Sequence, residues 1–235
     1  MKKAVLFWVL MLILCVFSAV SAGSDYSNQL ELIADNAELW QPDEVYSFWG
    51  YTVTDLDRNG RLEIISASLQ GTGLYTTFRV YEVSEDGTAL NEIIQDRAEY
   101  DSAPDIMTET APAFADEENG LYYYVFSDFI RNGYAESYVY KQAVYLENET
   151  WKELLLASQS MLCSDPENCV TTYSDADGKE IDEQQYGSAE ATYFPDCRKG
   201  TLQLNWNMVQ QTDFARLTRE DLVKSLENIS VTELE

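Results

Sequence analysis

The 235-residue chain contains no histidine, and it has only 15 lysines and arginines against 41 aspartates and glutamates. The absence of histidine excludes Ser-His-Asp and Cys-His catalysis, histidine-ligated zinc and an imidazole general base. The net charge of −26 argues against binding to nucleic acid or to an anionic membrane surface, because both are negatively charged as well. Apolar residues still make up 46% of the chain, which predicts a packed globular fold rather than a disordered acidic chain.

The first 22 residues have the pattern of a bacterial-type secretory signal peptide. A basic start precedes an apolar run that ends at Val20, and small residues up to Ala22 suit a signal peptidase. Cleavage there predicts a single secreted or cell-surface domain, residues 23–235, that does not insert into the membrane. Two other interpretations of the same segment are a transmembrane anchor and a lipoprotein attached through Cys15.

Three cysteines remain after this cleavage, and an exported protein favours disulfide formation. Cys163 and Cys169 enclose the turn-forming sequence Ser-Asp-Pro-Glu-Asn, which can bring their Cα atoms within disulfide range. We therefore predict a Cys163–Cys169 bond, with Cys197 as a competing partner for either residue. Zinc ligation by the three thiolates is not favoured, because their spacing fits no compact zinc site.

Strand-like segments dominate the chain, and amphipathic helices lie near its two ends. A capping-box pattern at Asn28 predicts a helix over 28–40, and Thr218-x-x-Asp221 predicts the start of a second helix. Residues 96–119 contain two prolines and an acidic run, which predicts a connecting loop and a possible seam. The pattern as a whole predicts an α+β fold built mainly on an antiparallel β-sheet, of meander or sandwich type. The predicted strands are 45–54, 62–69, 74–83, 121–129, 134–146, 150–158 and 201–209.

A nine-residue run between two predicted strands carries the strongest chemical signal. It reads Asp-Leu-Asp-Arg-Asn-Gly-Arg-Leu-Glu from residue 55 to residue 63. Ca²⁺ takes six to eight oxygen ligands, and carboxylates at alternate positions of a tight loop can converge on one ion. Gly60, at position six, permits the sharp turn that such a loop needs. The predicted ligands are the side chains of Asp55, Asp57, Asn59 and Glu63 and the main-chain carbonyl of Arg61.

This run resembles the Asp-x-Asp-x-Asn-Gly calcium loop of the FG-GAP repeats in integrin-type propellers, and more distantly that of EF-hands and dockerins. An EF-hand or dockerin loop would have an acid at position twelve, where this chain has Ser66, and helices on both sides. The flanks here are strand-like, so the FG-GAP hairpin is the nearer likeness, with Glu63 closing the site. Only one clear copy is present, so the resemblance does not imply a propeller. The alternative is an ordinary solvated turn in a very acidic chain.

Tyrosines recur at even spacing on two neighbouring predicted strands. Such amphipathic rings on one sheet face can stack on a sugar or contact a partner protein. The alternative is a half-buried face covered by a helix. The residues are Tyr122, Tyr124, Tyr134, Tyr138 and Tyr140.

Taken together, these features predict an exported calcium-binding module with a structural or recognition role and no assigned catalytic residue. Its partner would be an extracellular protein or glycan. One alternative is a surface-binding module that uses the tyrosine face. Another is an extracellular carboxylate-dependent hydrolase, which needs two acids about 5–10 Å apart, but no pair stands out among the 41 acids. The run 175–180 lacks the spacing of a second calcium loop and predicts a hairpin turn.

Overall fold

The computed structural model describes residues 26–42, 49–70, 75–96, 103–165 and 167–235. The predicted signal peptide and residues 97–102 of the predicted loop lie outside these ranges. No helix in the described ranges is both long and apolar enough to cross a lipid bilayer. The described strands form two sheets, and short helices accompany each sheet. This arrangement confirms the predicted α+β fold with mainly antiparallel β-structure.

The first sheet, sheet 1, is built from consecutive antiparallel hairpins and one strand from late in the chain. Its strands are β1 (Trp49–Thr54), β2 (Glu63–Gln70), β3 (Tyr75–Val83), β4 (Leu90–Glu92) and β13 (Asn207–Val209). Their order in space is β13-β1-β2-β3-β4. The β1–β2 connection is the acidic run, so the fold places that run at one end of a hairpin in this sheet.

The second sheet, sheet 2, contains the predicted meander. Its strands are β5 (Ile94–Asp96), β6 (Thr110–Asp116), β7 (Leu121–Asn132), β8 (Glu136–Glu147), β9 (Thr150–Asp165), β10 (Asn168–Asp175), β11 (Glu180–Ile181), β12 (Arg198–Gln203) and β14 (Val231–Leu234). Their order is β11-β10-β9-β8-β7-β6-β12-β14, and β5 pairs in parallel with β9. The prediction of a loop over 96–119 is wrong where β6 lies, because β6 pairs with both β7 and β12. Pro112 is compatible with this strand because it pairs only with β12.

The helices lie on the outer faces of the two sheets. They are α1 (Ser27–Asp35), α2 (Ala37–Trp40), α3 (Glu183–Gly187), α4 (Ala189–Tyr193), α5 (Gln211–Phe214) and α6 (Arg219–Leu226). Side chains of α1, α2, α5 and α6 share one core with sheet 1, which we call the helix core. The inner faces of the two sheets share a second core, which we call the central core, and α3 and α4 contribute to a third core on sheet 2.

Aromatic rings fill the helix core around Trp40. This side chain is fully buried, and its ring centroid lies 6.1 Å from that of Trp49, 5.2 Å from Tyr51 and 5.6 Å from Phe214. Its indole N–H donates to the main-chain oxygen of Ile33 at 3.0 Å. The cluster therefore joins both N-terminal helices, β1 and α5.

The two predicted helical regions are present but differ in detail. The region 28–40 forms two helices separated at Asn36, and α1 begins at Ser27 without a side-chain cap, so the capping box predicted at Asn28 is wrong. The capping box at the start of α6 is confirmed. Thr218 Oγ1 accepts the N–H of Asp221 at 3.1 Å, and Asp221 Oδ2 accepts the N–H of Thr218 at 3.2 Å.

The single strand predicted over 201–209 is also wrong, because the chain crosses between the sheets within it. β12 belongs to sheet 2 and β13 to sheet 1. The connecting residue Leu204 is buried in the central core, and Trp206 packs against that core.

A disulfide links β9 to β10, as predicted. Cys163 and Cys169 are register partners in this ladder and their sulfurs are bonded, whereas Cys197 has a free thiol. The run 175–180 forms the predicted hairpin turn between β10 and β11, with the N–H of Gly178 donating to the oxygen of Asp175 at 3.0 Å.

Candidate metal centre

The loop between β1 and β2 is fixed by two buried leucines that enter different cores. Leu56 is buried in the central core, whereas Leu62 is fully buried in the helix core on the opposite face of sheet 1. Gly60 has a φ of +87°, as the predicted turn requires, and Arg58 also lies in the left-handed region with a φ of +58°. The loop therefore has a defined backbone conformation and is anchored in both cores.

Three of the predicted ligands converge in this loop. One carboxylate oxygen from each of Asp55, Asp57 and Glu63 lies within 4.8 Å of the other two. Glu63 is the first residue of β2 and its side chain is fully buried. Like charges this close and this poorly hydrated repel one another, so the cluster needs a compensating positive charge or protons.

Two of these carboxylates accept hydrogen bonds through one oxygen only, and their second oxygen is bare, that is, without a hydrogen-bond partner among the described residues. Asp55 Oδ2 accepts the N–H of Gly60 at 3.1 Å and the hydroxyl of Tyr26 at 3.2 Å. Glu63 Oε2 accepts the N–H of Leu56 at 2.7 Å. Within the described part of the chain, Asp55 Oδ1 and Glu63 Oε1 are buried without a hydrogen-bond partner. An unsatisfied buried acceptor costs about 1–3 kcal/mol, so these two oxygens favour the presence of a ligand that would satisfy them.

The other two predicted ligands take part in the internal bonding of the loop. Asn59 Oδ1 accepts the N–H of Arg61 at 2.7 Å, and Asn59 Nδ2 donates to Asp57 Oδ2 at 2.9 Å. The guanidinium of Arg61 forms an ion pair with Glu82 at 2.9 Å and another with Glu149 at 3.3 Å. Coordination by the Asn59 side chain and the Arg61 carbonyl remains a prediction.

Glu82 is a participant that the sequence analysis missed. It lies on β3 directly across the ladder from Glu63, and its side chain is 3% exposed. Glu82 Oε1 accepts a hydrogen bond from Asn59 Nδ2 at 2.7 Å, while Oε2 pairs with Arg61. Glu82 therefore holds the residues at loop positions five and seven. An available signal was the acid between the apolar residues Tyr81 and Val83 in a predicted strand.

The N-terminal helix also contacts the loop. Gln29 on α1 donates from Nε2 to the oxygen of Gly60 at 2.9 Å and accepts the N–H of Leu62 at Oε1, at 2.8 Å. Tyr26, immediately before α1, donates to Asp55. These two side chains, which the sequence analysis also missed, orient the loop from outside the hairpin.

The electrostatic environment disfavours a fully ionised, metal-free cluster. Burial raises the pKa of Glu63 well above its ordinary value, and the nearby Asp57, Asp55 and Glu82 carboxylates raise it further, whereas the Leu56 N–H lowers it. Burial also raises the pKa of Asp55, Asp57 and Glu82. Each of these groups therefore binds protons more readily in the folded protein than in the unfolded chain.

This electrostatic environment predicts a pH dependence of stability in chelator. Because the pKa of Glu63 is raised on folding, its contribution to stability is fully present below the ordinary value of 4.5 and is lost as the pH rises through the folded pKa. The free energy of unfolding of the metal-free protein should therefore fall between pH 4.5 and neutrality. Urea denaturation across this range measures it.

The control for this dependence is Glu63→Gln, which removes the titrating group but keeps an oxygen for the Leu56 N–H. Its curve should be flatter than that of the wild type. Asp177→Asn, at an exposed position in the β10–β11 turn, makes the same change in charge. Equal slopes for the wild type and Glu63→Gln would contradict the assignment of the effect to Glu63.

The prediction that Tyr124 belongs to an exposed recognition face is wrong. Its ring is 1% exposed and fills part of the central core, and its hydroxyl donates to the main-chain oxygen of Leu56 at 2.6 Å. Tyr124 therefore supports the acidic loop from sheet 2 and has no surface to offer a partner.

The other four tyrosines differ in exposure and in surroundings. Tyr122 is half-buried and lies 5.6 Å from the guanidinium of Arg58, and Tyr134 is exposed in the β7–β8 turn. Tyr138 and Tyr140 are half-buried neighbours on β8, with ring centroids 6.5 Å apart and planes 13° from parallel. Recognition by these rings remains a prediction.

Searches against protein-family profiles, curated proteins and solved structures found no match to this chain.

Proposed function

We propose that the β1–β2 loop binds one Ca²⁺ ion and that this ion has a structural role in an exported protein. The observation that carries the proposal is the pair of bare, buried oxygens on Asp55 and Glu63 within a cluster of three carboxylates. A bound ion would supply two positive charges where the fold places three acids. The resemblance of the loop to FG-GAP calcium loops supports the same conclusion.

Calcium suits this donor set better than the other common metals. The cluster offers carboxylate oxygens, and neighbouring amide and carbonyl oxygens can complete the six to eight ligands that Ca²⁺ accepts in irregular geometry. Zinc and copper sites generally use sulfur or imidazole ligands. Mg²⁺ demands a tighter octahedron and usually keeps several waters, which the full burial of Glu63 disfavours.

The position of the loop favours a structural role. The proposed ligands flank Leu56 in the central core and Leu62 in the helix core, so an ion here would stiffen the part of sheet 1 that joins both cores. Export is consistent with the Cys163–Cys169 disulfide, because such bonds persist mainly in oxidising compartments. Extracellular calcium modules commonly bind with a Kd of about 10⁻⁴–10⁻³ M, which matches the supply of calcium outside cells.

Thermal unfolding in calcium and in chelator tests the proposal. At ten to a hundred times the Kd, binding to the folded state alone should raise the free energy of unfolding by about 1.4–2.7 kcal/mol. For a chain of this size, each kcal/mol raises the melting temperature by about 2–4 °C. Differential scanning calorimetry with calcium chloride and with chelator measures the shift.

Two variants make this measurement specific. Asp57→Ala should abolish the calcium-dependent shift, because Asp57 is one of the three clustered acids. Asp175→Ala removes an acid from the β10–β11 turn and should leave the shift intact. A wild-type midpoint that is identical in calcium and in chelator would refute calcium binding, and an undiminished shift in Asp57→Ala would refute this site.

A further inference from the structure

Helix α1 is attached to sheet 1 by apolar packing and by polar contacts of two distinct kinds. Leu30, Ile33 and Ala34 are buried in the helix core. On the exposed side, Glu31 and Asp35 both form ion pairs with Arg219 of α6. Polar contacts from Tyr26, just before the helix, and from Gln29 go to the acidic loop.

The contacts from α1 reach both a metal-ligand candidate and the backbone that shapes the loop. Tyr26 donates to Asp55 Oδ2, and Asp55 Oδ1 is one of the two bare oxygens in the carboxylate cluster. Gln29 clamps the oxygen of Gly60 and the N–H of Leu62, which lie on either side of Arg61. The same carboxylate and the same turn therefore serve the candidate ion site and the helix.

We infer that occupancy of this site controls how firmly α1 is docked on the fold, an inference that rests on the proposed calcium binding. With the ion bound, Asp55 is drawn toward Asp57 and Glu63, and its second oxygen stays in place for the Tyr26 hydroxyl. Without the ion, repulsion among the three carboxylates drives the loop apart. The Asp55 carboxylate and the Gly60 and Leu62 main-chain groups then move away from Tyr26 and Gln29. Docking of α1 then depends on its apolar contacts and on the exposed ion pairs with Arg219.

Linkage makes this coupling reciprocal. If calcium strengthens the docking of α1, the contacts from α1 must strengthen calcium binding by the same factor. Breaking the contacts at Tyr26 and Gln29 should therefore weaken calcium affinity without removing any ligand of the cluster. The expected coupling is about 5-fold or more, the lower end of typical values between two sites.

Hydrogen exchange of the α1 amides tests the inference on the whole purified protein. The exchange rate of residues 30–36 is measured with calcium chloride and with chelator, and calcium affinity is measured separately by isothermal titration calorimetry. Calcium should slow exchange in α1 of the wild type about 5-fold or more. The double variant Tyr26→Phe with Gln29→Ala should lose most of this calcium-dependent slowing and should bind calcium more weakly by a similar factor.

Asp35→Asn is the matched control, because it weakens the contact of α1 with α6 and leaves the loop untouched. It should speed exchange in calcium and in chelator alike and keep the wild-type ratio between them. Tyr26→Phe alone retains the ring and removes only the hydroxyl, so it gives a second test should the double variant fail to fold.

The outcomes separate this inference from the proposed function. Calcium binding by the wild type with unchanged exchange in α1 would overturn the coupling and leave the calcium site standing. A double variant that folds and keeps the full calcium-dependent slowing would overturn the coupling as well. No calcium binding in the titration of the wild type would refute the proposed function and this inference together.

Discussion

Glu63→Gln should greatly weaken calcium binding and, at the same time, make the metal-free protein more stable than the wild type. The substitution removes the negative charge of a fully buried side chain whose pKa is raised by burial and by three neighbouring acids. The amide oxygen can still accept the Leu56 N–H, and the new amide hydrogens can donate to the carboxylates of Asp55 and Asp57. We expect a gain of about 1–3 kcal/mol in chelator at neutral pH, the size of one unmade buried hydrogen bond.

Replacing a residue that only orients a metal ligand typically weakens metal binding 10–100-fold. Glu63 is itself a proposed ligand, so Glu63→Gln should weaken calcium binding by more than this. Isothermal titration gives the affinity, and urea denaturation in chelator gives the stability. Asp177→Asn, with the same change in charge at an exposed turn, should alter neither quantity appreciably. A Glu63→Gln protein that binds calcium as tightly as the wild type would remove Glu63 from the site.

Trp40→Ala should lower the free energy of unfolding by about 3–5 kcal/mol, the usual cost of deleting a large buried aromatic side chain. The indole is fully buried against Trp49, Tyr51 and Phe214, so truncation leaves a cavity lined by three rings. It also removes the hydrogen bond from the indole N–H to Ile33. Urea denaturation monitored by far-ultraviolet circular dichroism measures the loss.

Leu39→Ala provides the comparison for this prediction. Leu39 is the preceding residue on α2 and is 39% exposed, so its truncation should change the free energy of unfolding by no more than about 0.5 kcal/mol. Equal costs for the two substitutions would show that the aromatic cluster does not organise the N-terminal helices.

The hairpins and their turns could be predicted from sequence because their signals are local. The acidic run joins two segments rich in β-branched residues, and Gly60 supplies the positive φ that the turn needs. The convergence of Asp55, Asp57 and Glu63 also follows from spacing within one loop. The Cys163–Cys169 bond was predictable for the same reason, since only five residues separate the two cysteines.

The rest depended on contacts between residues that are distant in sequence. Glu82 supports the loop only because β3 pairs with β2, and Tyr26 and Gln29 reach it only because α1 packs on the same sheet. The alternation of tyrosines predicted a shared face but gave no indication that sheet 1 covers Tyr124. Similarly, no local pattern in 201–209 indicated that the chain leaves one sheet for the other there.

The C-terminal segment 207–234 limits the order in which the two sheets can assemble. β13, at Asn207–Val209, completes sheet 1 beside β1, and β14, at Val231–Leu234, completes sheet 2 beside β12. Phe214 also comes from this region and closes the ring cluster around Trp40. Neither sheet can therefore reach its final edge while residues 207–234 are still being synthesised. Long-range pairing of this kind slows folding, so both sheets should keep an unpaired edge until these residues are available.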